Sequence, residues 1–134
     1  MIKLLLFVGL ATSIVVFDAC KKHPSTPPPQ EANLTVETNP ANGSIQLPGI
    51  EPFNLTVTIT SAMPSAGVKI DITAKREDNN TTFYTDSKNS TSSSNTFTIT
   101  NTPVGVQCLV EIKVTSLSKS SNQWTGSYRY SRKS

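Results

Sequence analysis

From Phe53 onward the chain alternates apolar and polar side chains with a period of two. Phe53, Leu55, Val57 and Ile59 are interleaved with Asn54, Thr56, Thr58 and Thr60. Val68, Ile70, Ile72 and Ala74 alternate with Lys69, Asp71, Thr73 and Lys75, and Phe97 and Ile99 stand between Thr96, Thr98 and Thr100. Val106, Cys108, Val110, Ile112 and Val114 alternate with Gln107, Leu109, Glu111, Lys113 and Thr115. In a last segment Trp124, Tyr128 and Tyr130 share one side, with Gly126 in the gap. Successive side chains of a strand point to opposite faces, so this pattern predicts strands with one face in a core and one in water. Weaker signals predict a first strand at Leu34 and Val36, a short piece at Ile45 and Leu47, and a strand around Phe83 and Tyr84.

Turn chemistry separates these segments: Pro40-Ala41-Asn42-Gly43, Pro48-Gly49, Pro64-Ser65-Ala66-Gly67, Asp78-Asn79-Asn80, a Ser/Asn-rich stretch at 87–95, Pro103 with Gly105, and Ser118 to Asn122. No window sustains a helical period. Seven or eight short strands predict an all-β, two-sheet antiparallel sandwich over residues 33–134. The succession of a strand 53–60, a Pro/Gly turn, a strand 67–76, a long strand 105–116 and a final strand 123–131 resembles an immunoglobulin-like (Ig-like) domain of the kind appended to bacterial envelope proteins. Antibody-type hallmarks are absent. The second strong strand has no tryptophan, no cysteine pair bridges the sheets, and Val106 stands where a corner tyrosine would precede Cys108. The loops 61–67, 102–105 and 42–52 are expected at one end of the sandwich.

The N-terminus has a different pattern. Lys3 precedes a charge-free, mostly apolar run from Leu4 to Phe17, followed by Asp18, Ala19, Cys20, Lys21, Lys22 and His23. As a helix the run reaches about 21 Å at roughly 1.5 Å per residue, short of the ~30 Å core of a bilayer. It has the length of a signal-peptide h-region. The basic start, greasy run, small residue and cysteine resemble a Bacteroidota-type lipoprotein signal peptide, with residues 1–19 as the leader. The resemblance implies a mature chain that begins at Cys20, its sulfur carrying diacylglycerol, and two or more acyl chains anchor stably where one does not. Lys21 occupies the position where an aspartate commonly retains lipoproteins in the inner membrane, which implies the outer membrane. No acidic surface-export tract follows, which favours a periplasm-facing orientation. Residues 20–32 (Cys20, then KKHPSTPPPQEA) form a Pro-rich tether. In extended polyproline geometry it lifts the domain at most ~40 Å from the membrane.

The chain carries 12 basic and 9 acidic side chains, a net +3. The leader holds one of each sign, Lys3 and Asp18, so the balance survives its removal. The charges are scattered, which indicates solubility and no nucleic-acid footprint. Arg129, Arg132 and Lys133 cluster near the C-terminus and read as a solvated terminal strand.

Catalytic equipment is sparse. His23, the only histidine, lies in the tether. Cys108 falls in phase with Val106 and Val110 and is expected as a buried thiol with a raised pKa, inert as a nucleophile. Glu77, Asp78, Asn79 and Asn80 bring together oxygen ligands of the kind Ca²⁺ takes, yet their spacing matches no calcium motif and suits a tight turn. No Gly-rich phosphate loop, paired-cysteine zinc motif, nucleophile elbow or cofactor motif is present. The expectation is a lipid-anchored, non-enzymatic binding or structural module of the cell envelope, an accessory subunit engaging a protein partner through loops or the edge of the first or last strand. The alternative is a small carbohydrate-binding lipoprotein that stacks glycan on Trp124, Tyr128 and Tyr130.

Overall fold

The computed structural model of the protein describes residues 29–134; the leader, Cys20 and most of the tether lie outside the described residues. Seven strands and no helix make up the described chain. They are β1 (Val36–Asn39), β2 (Phe53–Ile59), β3 (Val68–Arg76), β4 (Thr82–Ser90), β5 (Ser94–Ile99), β6 (Gln107–Ser116) and β7 (Gln123–Ser131). One sheet has the order β1-β2-β5 and the other β4-β3-β6-β7, every pair antiparallel. The architecture is a two-sheet antiparallel sandwich, Ig-like in its strand order. Its fourth strand lies beside β3, whereas constant-type antibody domains place theirs in the sheet of the first strands.

The period-two pattern becomes the core. Leu55 and Val57 of β2, Val68 and Ile70 of β3, Ile99 of β5 and Val110 and Val114 of β6 are wholly buried. Each such side chain contributes about 1.5–3 kcal/mol by leaving water. The intervening threonines face outward, where a β-branched side chain with a polar handle suits a half-solvated strand. Gly67 closes the β2–β3 turn by donating its N–H to the Pro64 carbonyl at 2.9 Å, at a φ of +85°. A Cβ there would meet the Ser90 carbonyl oxygen at 2.5 Å, so only glycine fits.

Strand direction sorts the connections into two groups. Residues 60–67, 91–93 and 117–122 lie at one end, and 40–52, 77–81 and 100–106 at the other. Loop 61–67 is therefore remote from 102–105 and 42–52, contrary to the expectation that all three share an end. An odd number of crossings separates them, which alternation alone does not count. The Ser/Asn-rich stretch expected as a turn over 87–95 is mostly strand: β4 runs to Ser90 and β5 starts at Ser94. Residues 85–89 of β4 are exposed, so no hydrophobic alternation announces them.

The chain enters at the first of these ends, against the β6–β7 loop. The Asn122 Oδ1 accepts the Leu34 N–H at 3.0 Å. Its Nδ2 donates to the Glu31 carboxylate at 2.6 Å and to the Ala32 carbonyl at 2.9 Å. One buried amide thus fixes the last residues before β1. Asn122→Ala is expected to destabilise the domain by about 1–3 kcal/mol, because the buried Leu34 N–H loses its acceptor. In urea denaturation the midpoint falls, and hydrogen exchange at the Leu34 amide accelerates more than at core amides.

Candidate functional site

The end away from chain entry is built around the connection between β1 and β2. Instead of turning back directly, residues 43–49 run alongside β7 in parallel. Gly43 N–H donates to the Ser127 carbonyl at 2.7 Å, Gln46 N–H to Arg129 at 2.8 Å and Gly49 N–H to Ser131 at 3.0 Å. In return Arg129 N–H reaches the Ser44 carbonyl at 2.9 Å and Lys133 N–H reaches Gly49 at 2.8 Å. The short piece expected at Ile45 and Leu47 is thus a strap on the outer edge of β7, with no place in either sheet as a named strand. It also covers the edge of the last strand, which is not free to receive a partner strand there.

With its backbone turned to β7, the strap holds its apolar side chains in water. Ile45 is 69% exposed, Leu47 89% and Ile50 75%; Val104, on the neighbouring β5–β6 loop, is 49% exposed. These are four of the five exposed large apolar side chains among the described residues; the fifth is Leu117, at the opposite end. Leu47 and Ile50 overhang a cleft of about 250 Å³ whose walls include Pro40, Phe53 and Asn54 and which reaches Tyr128 and Tyr130. Apolar groups gathered at one end call for an explanation that singly scattered ones do not.

The base of this end is stiffened by polar contacts. Tyr130, 2% exposed, exchanges a hydrogen bond with the Thr102 hydroxyl at 2.8 Å. This ties β7 to the β5–β6 loop, the service a corner tyrosine would render from β6. Phe53 meets Tyr130 edge-on at 4.6 Å between ring centroids. The Glu51 carboxylate accepts the Thr102 N–H at 2.6 Å and pairs with Arg132 at 3.4 Å. Arg129 pairs with Glu77 at 2.8 Å. Of the C-terminal basic cluster, Lys133 alone has no acidic partner in the described structure. Partly exposed pairs of this kind contribute little to stability. They do leave the rim of the apolar end nearly neutral.

The structure separates the three aromatic residues considered for glycan stacking. Tyr128 and Tyr130 are each 2% exposed and belong to the core, where burial raises both phenol pKa values. Trp124 is half-buried, with its ring lying over Gly126 on the same strand face. No three-ring platform is presented to a sugar. Shared phase along β7 places the three on one face, and that face is the inner one. The acidic turn is likewise engaged by protein groups. Arg76 grips the Asp78 carboxylate through two nitrogens at 2.9 and 2.6 Å and holds its pKa below the usual carboxylate range. The Asn79 Oδ1 caps the Thr81 N–H at 3.0 Å, and Asn80 adopts a φ of +57°. Cys108 is wholly buried, and burial pushes its thiol up to about 11.

A Cβ at Gly126 would collide with the Trp124 ring and stand 2.8 Å from the Asn42 Oδ1. Gly126→Ala is expected to expel the indole and destabilise by about 1–3 kcal/mol, the usual range for overpacking. Trp124 is the only tryptophan, so a red-shifted emission reports the displacement directly. Cys108 predicts a pH dependence. The unfolded thiol ionises near its ordinary 9.0 and the folded one near 11, so the unfolded state sheds its proton first. This contribution to stability is full below about pH 9 and is lost as pH climbs towards 11. Denaturant titrations across that range show the decline, and Cys108→Ala flattens its onset, before the tyrosines ionise.

No protein-family model matches the chain, and no curated protein matches it, so the chemistry of its surface carries the functional reading.

Proposed function

We propose that the protein is a lipid-anchored, non-enzymatic binding module of the bacterial cell envelope. Lipid on Cys20 and the Pro-rich tether hold it at the outer membrane, facing the periplasm, and its strap end engages a protein partner as an accessory subunit. The observation that supports this reading is the gathering of Ile45, Leu47, Ile50 and Val104 at the end opposite chain entry. A tether attached at the entry end points that apolar end away from the membrane. The neutral rim and the cleft beside Leu47 suit a partner that inserts an apolar side chain, with the stiff base limiting the ordering cost of association. Fixed backbone on the strap, held by four hydrogen bonds to β7 and one to Lys133 just beyond it, presents Ile45 and Leu47 without rearrangement.

The test is capture of cross-linked complexes from native envelopes with the full chain, comparing wild type with Leu47→Glu and Ile50→Glu. Both positions are exposed, so melting temperatures are expected to stay within about 0.5 kcal/mol equivalent of wild type, as for surface changes. One stoichiometric protein partner, lost in both variants and in Cys20→Ala, supports the reading. Partner capture unaffected by Leu47→Glu and Ile50→Glu moves the interface elsewhere. Recovery of polysaccharide with no enriched protein overturns the protein-partner reading in favour of glycan.

A further inference from the structure

The free edges of the two sheets are protected unequally. An outermost strand presents unpaired backbone donors and acceptors, and folded proteins blunt such edges by covering them, keeping them short or turning charges inward. The strap covers β7 from Ser127 onward. β1 has four residues and carries Glu37. β4 is nine residues long, but its pairing with β3 sets Lys88 opposite Ile70 and Asp86 opposite Ile72. Paired residues share a face, so these two charges point to the core side of the sheet. A break of register at Ala74/Lys75 further disrupts this edge.

β5 has none of these protections. It makes six uninterrupted pairs with β2, from Phe53↔Ile99 to Thr58↔Ser94. It contains no proline, glycine or charge, and no charged residue occurs between Lys88 and Glu111. The Ile59 N–H donates to the Ser93 carbonyl at 2.7 Å. Backbone groups alternate sides along an antiparallel strand, so Asn95, Phe97 and Ile99 also turn theirs to β2. The N–H and C=O groups of Ser94, Thr96 and Thr98 face the open edge.

We propose that this edge is an interface with a second copy of the chain, the two β5 strands pairing antiparallel about a two-fold axis at Thr96. That register sets Thr96 opposite Thr96 of the second copy and Ser94 opposite its Thr98. All three open residues of each strand then fall at hydrogen-bonded positions, and the two three-stranded sheets merge into one of six. Hydroxyl meets hydroxyl on the outer face, a favourable cross-strand pairing. Charge selects the occupant. A neutral edge meets its own copy without placing like charges across the axis, while an acidic or basic strand finds no counter-charge along residues 89–110. The contact is isologous, so it closes at two copies.

The test uses the full chain in envelopes under mild oxidation. Residues opposite each other at a hydrogen-bonded position lie about 5.5 Å apart between Cα atoms, within the span of a disulfide. Thr96→Cys is expected to yield a disulfide-linked dimer. Thr56→Cys, one strand further in on the same face, gives no more than the wild-type chain with its own Cys20 and Cys108. Thr96→Lys is expected to lose the dimer in sedimentation while keeping its circular dichroism and melting temperature. If Thr96→Lys does not fold, Thr98→Lys carries the same test. The proposal is overturned if Thr96→Cys cross-links no better than Thr56→Cys, if it captures a different protein, or if the dimer survives a folded lysine variant.

Discussion

A sandwich must satisfy the backbone of its outermost strands as well as bury its inner faces, and the pairing of residues 43–49 with β7 meets the first demand here. By committing its own donors and acceptors to this edge, the strap closes the flank of the four-stranded sheet from Ser127 onward. The same pairing dictates the surface. A segment whose backbone is committed to a strand edge, and whose neighbours below are already packed, has only solvent for Ile45 and Leu47. The apolar end of the domain thus follows from the way an edge is closed.

The two ends of the molecule differ in chemistry. At chain entry a single amide, Asn122, gathers three partners from the residues before β1. At the strap end, aromatic packing and the Tyr130–Thr102 bond form the floor, with Glu51 and Arg132 bracing the loop from the side. The core between them contains no disulfide; its one cysteine, Cys108, packs as a small apolar side chain. Stability therefore rests on the interdigitated Val, Ile and Leu side chains.

Where burial imposes a period of two, the chain could be read directly. β2, β3, β6 and β7 fall within two residues of the segments expected from alternation, and the side facing the core is the apolar one except at Ser116, where β6 ends. The unread parts have separate physical causes. Of β4 only the start, around Phe83 and Tyr84, is legible; the rest lies at a sheet edge with polar side chains on both of its faces, so no period survives. The strap is held by backbone bonds, to which side-chain patterning is blind, and its exposed Ile45 and Leu47 imitate a half-buried strand. The tyrosines of β7 share a face in any strand; whether that face is core or platform depends on the opposing sheet. Asn95, in phase with Phe97 and Ile99, is buried because position in the strand outweighs its polarity.

The parallel run of strap and β7 also decides how the domain bears load. Chain entry and the end of β7 lie at opposite poles of the sandwich, so a pull applied between them acts along the strands. The four bonds joining the strap to β7, with the fifth from Lys133, are then stretched in shear and share the force, where a hairpin pulled from one end would unzip them singly. A domain tied at one pole and gripped at the other would resist extension as a unit.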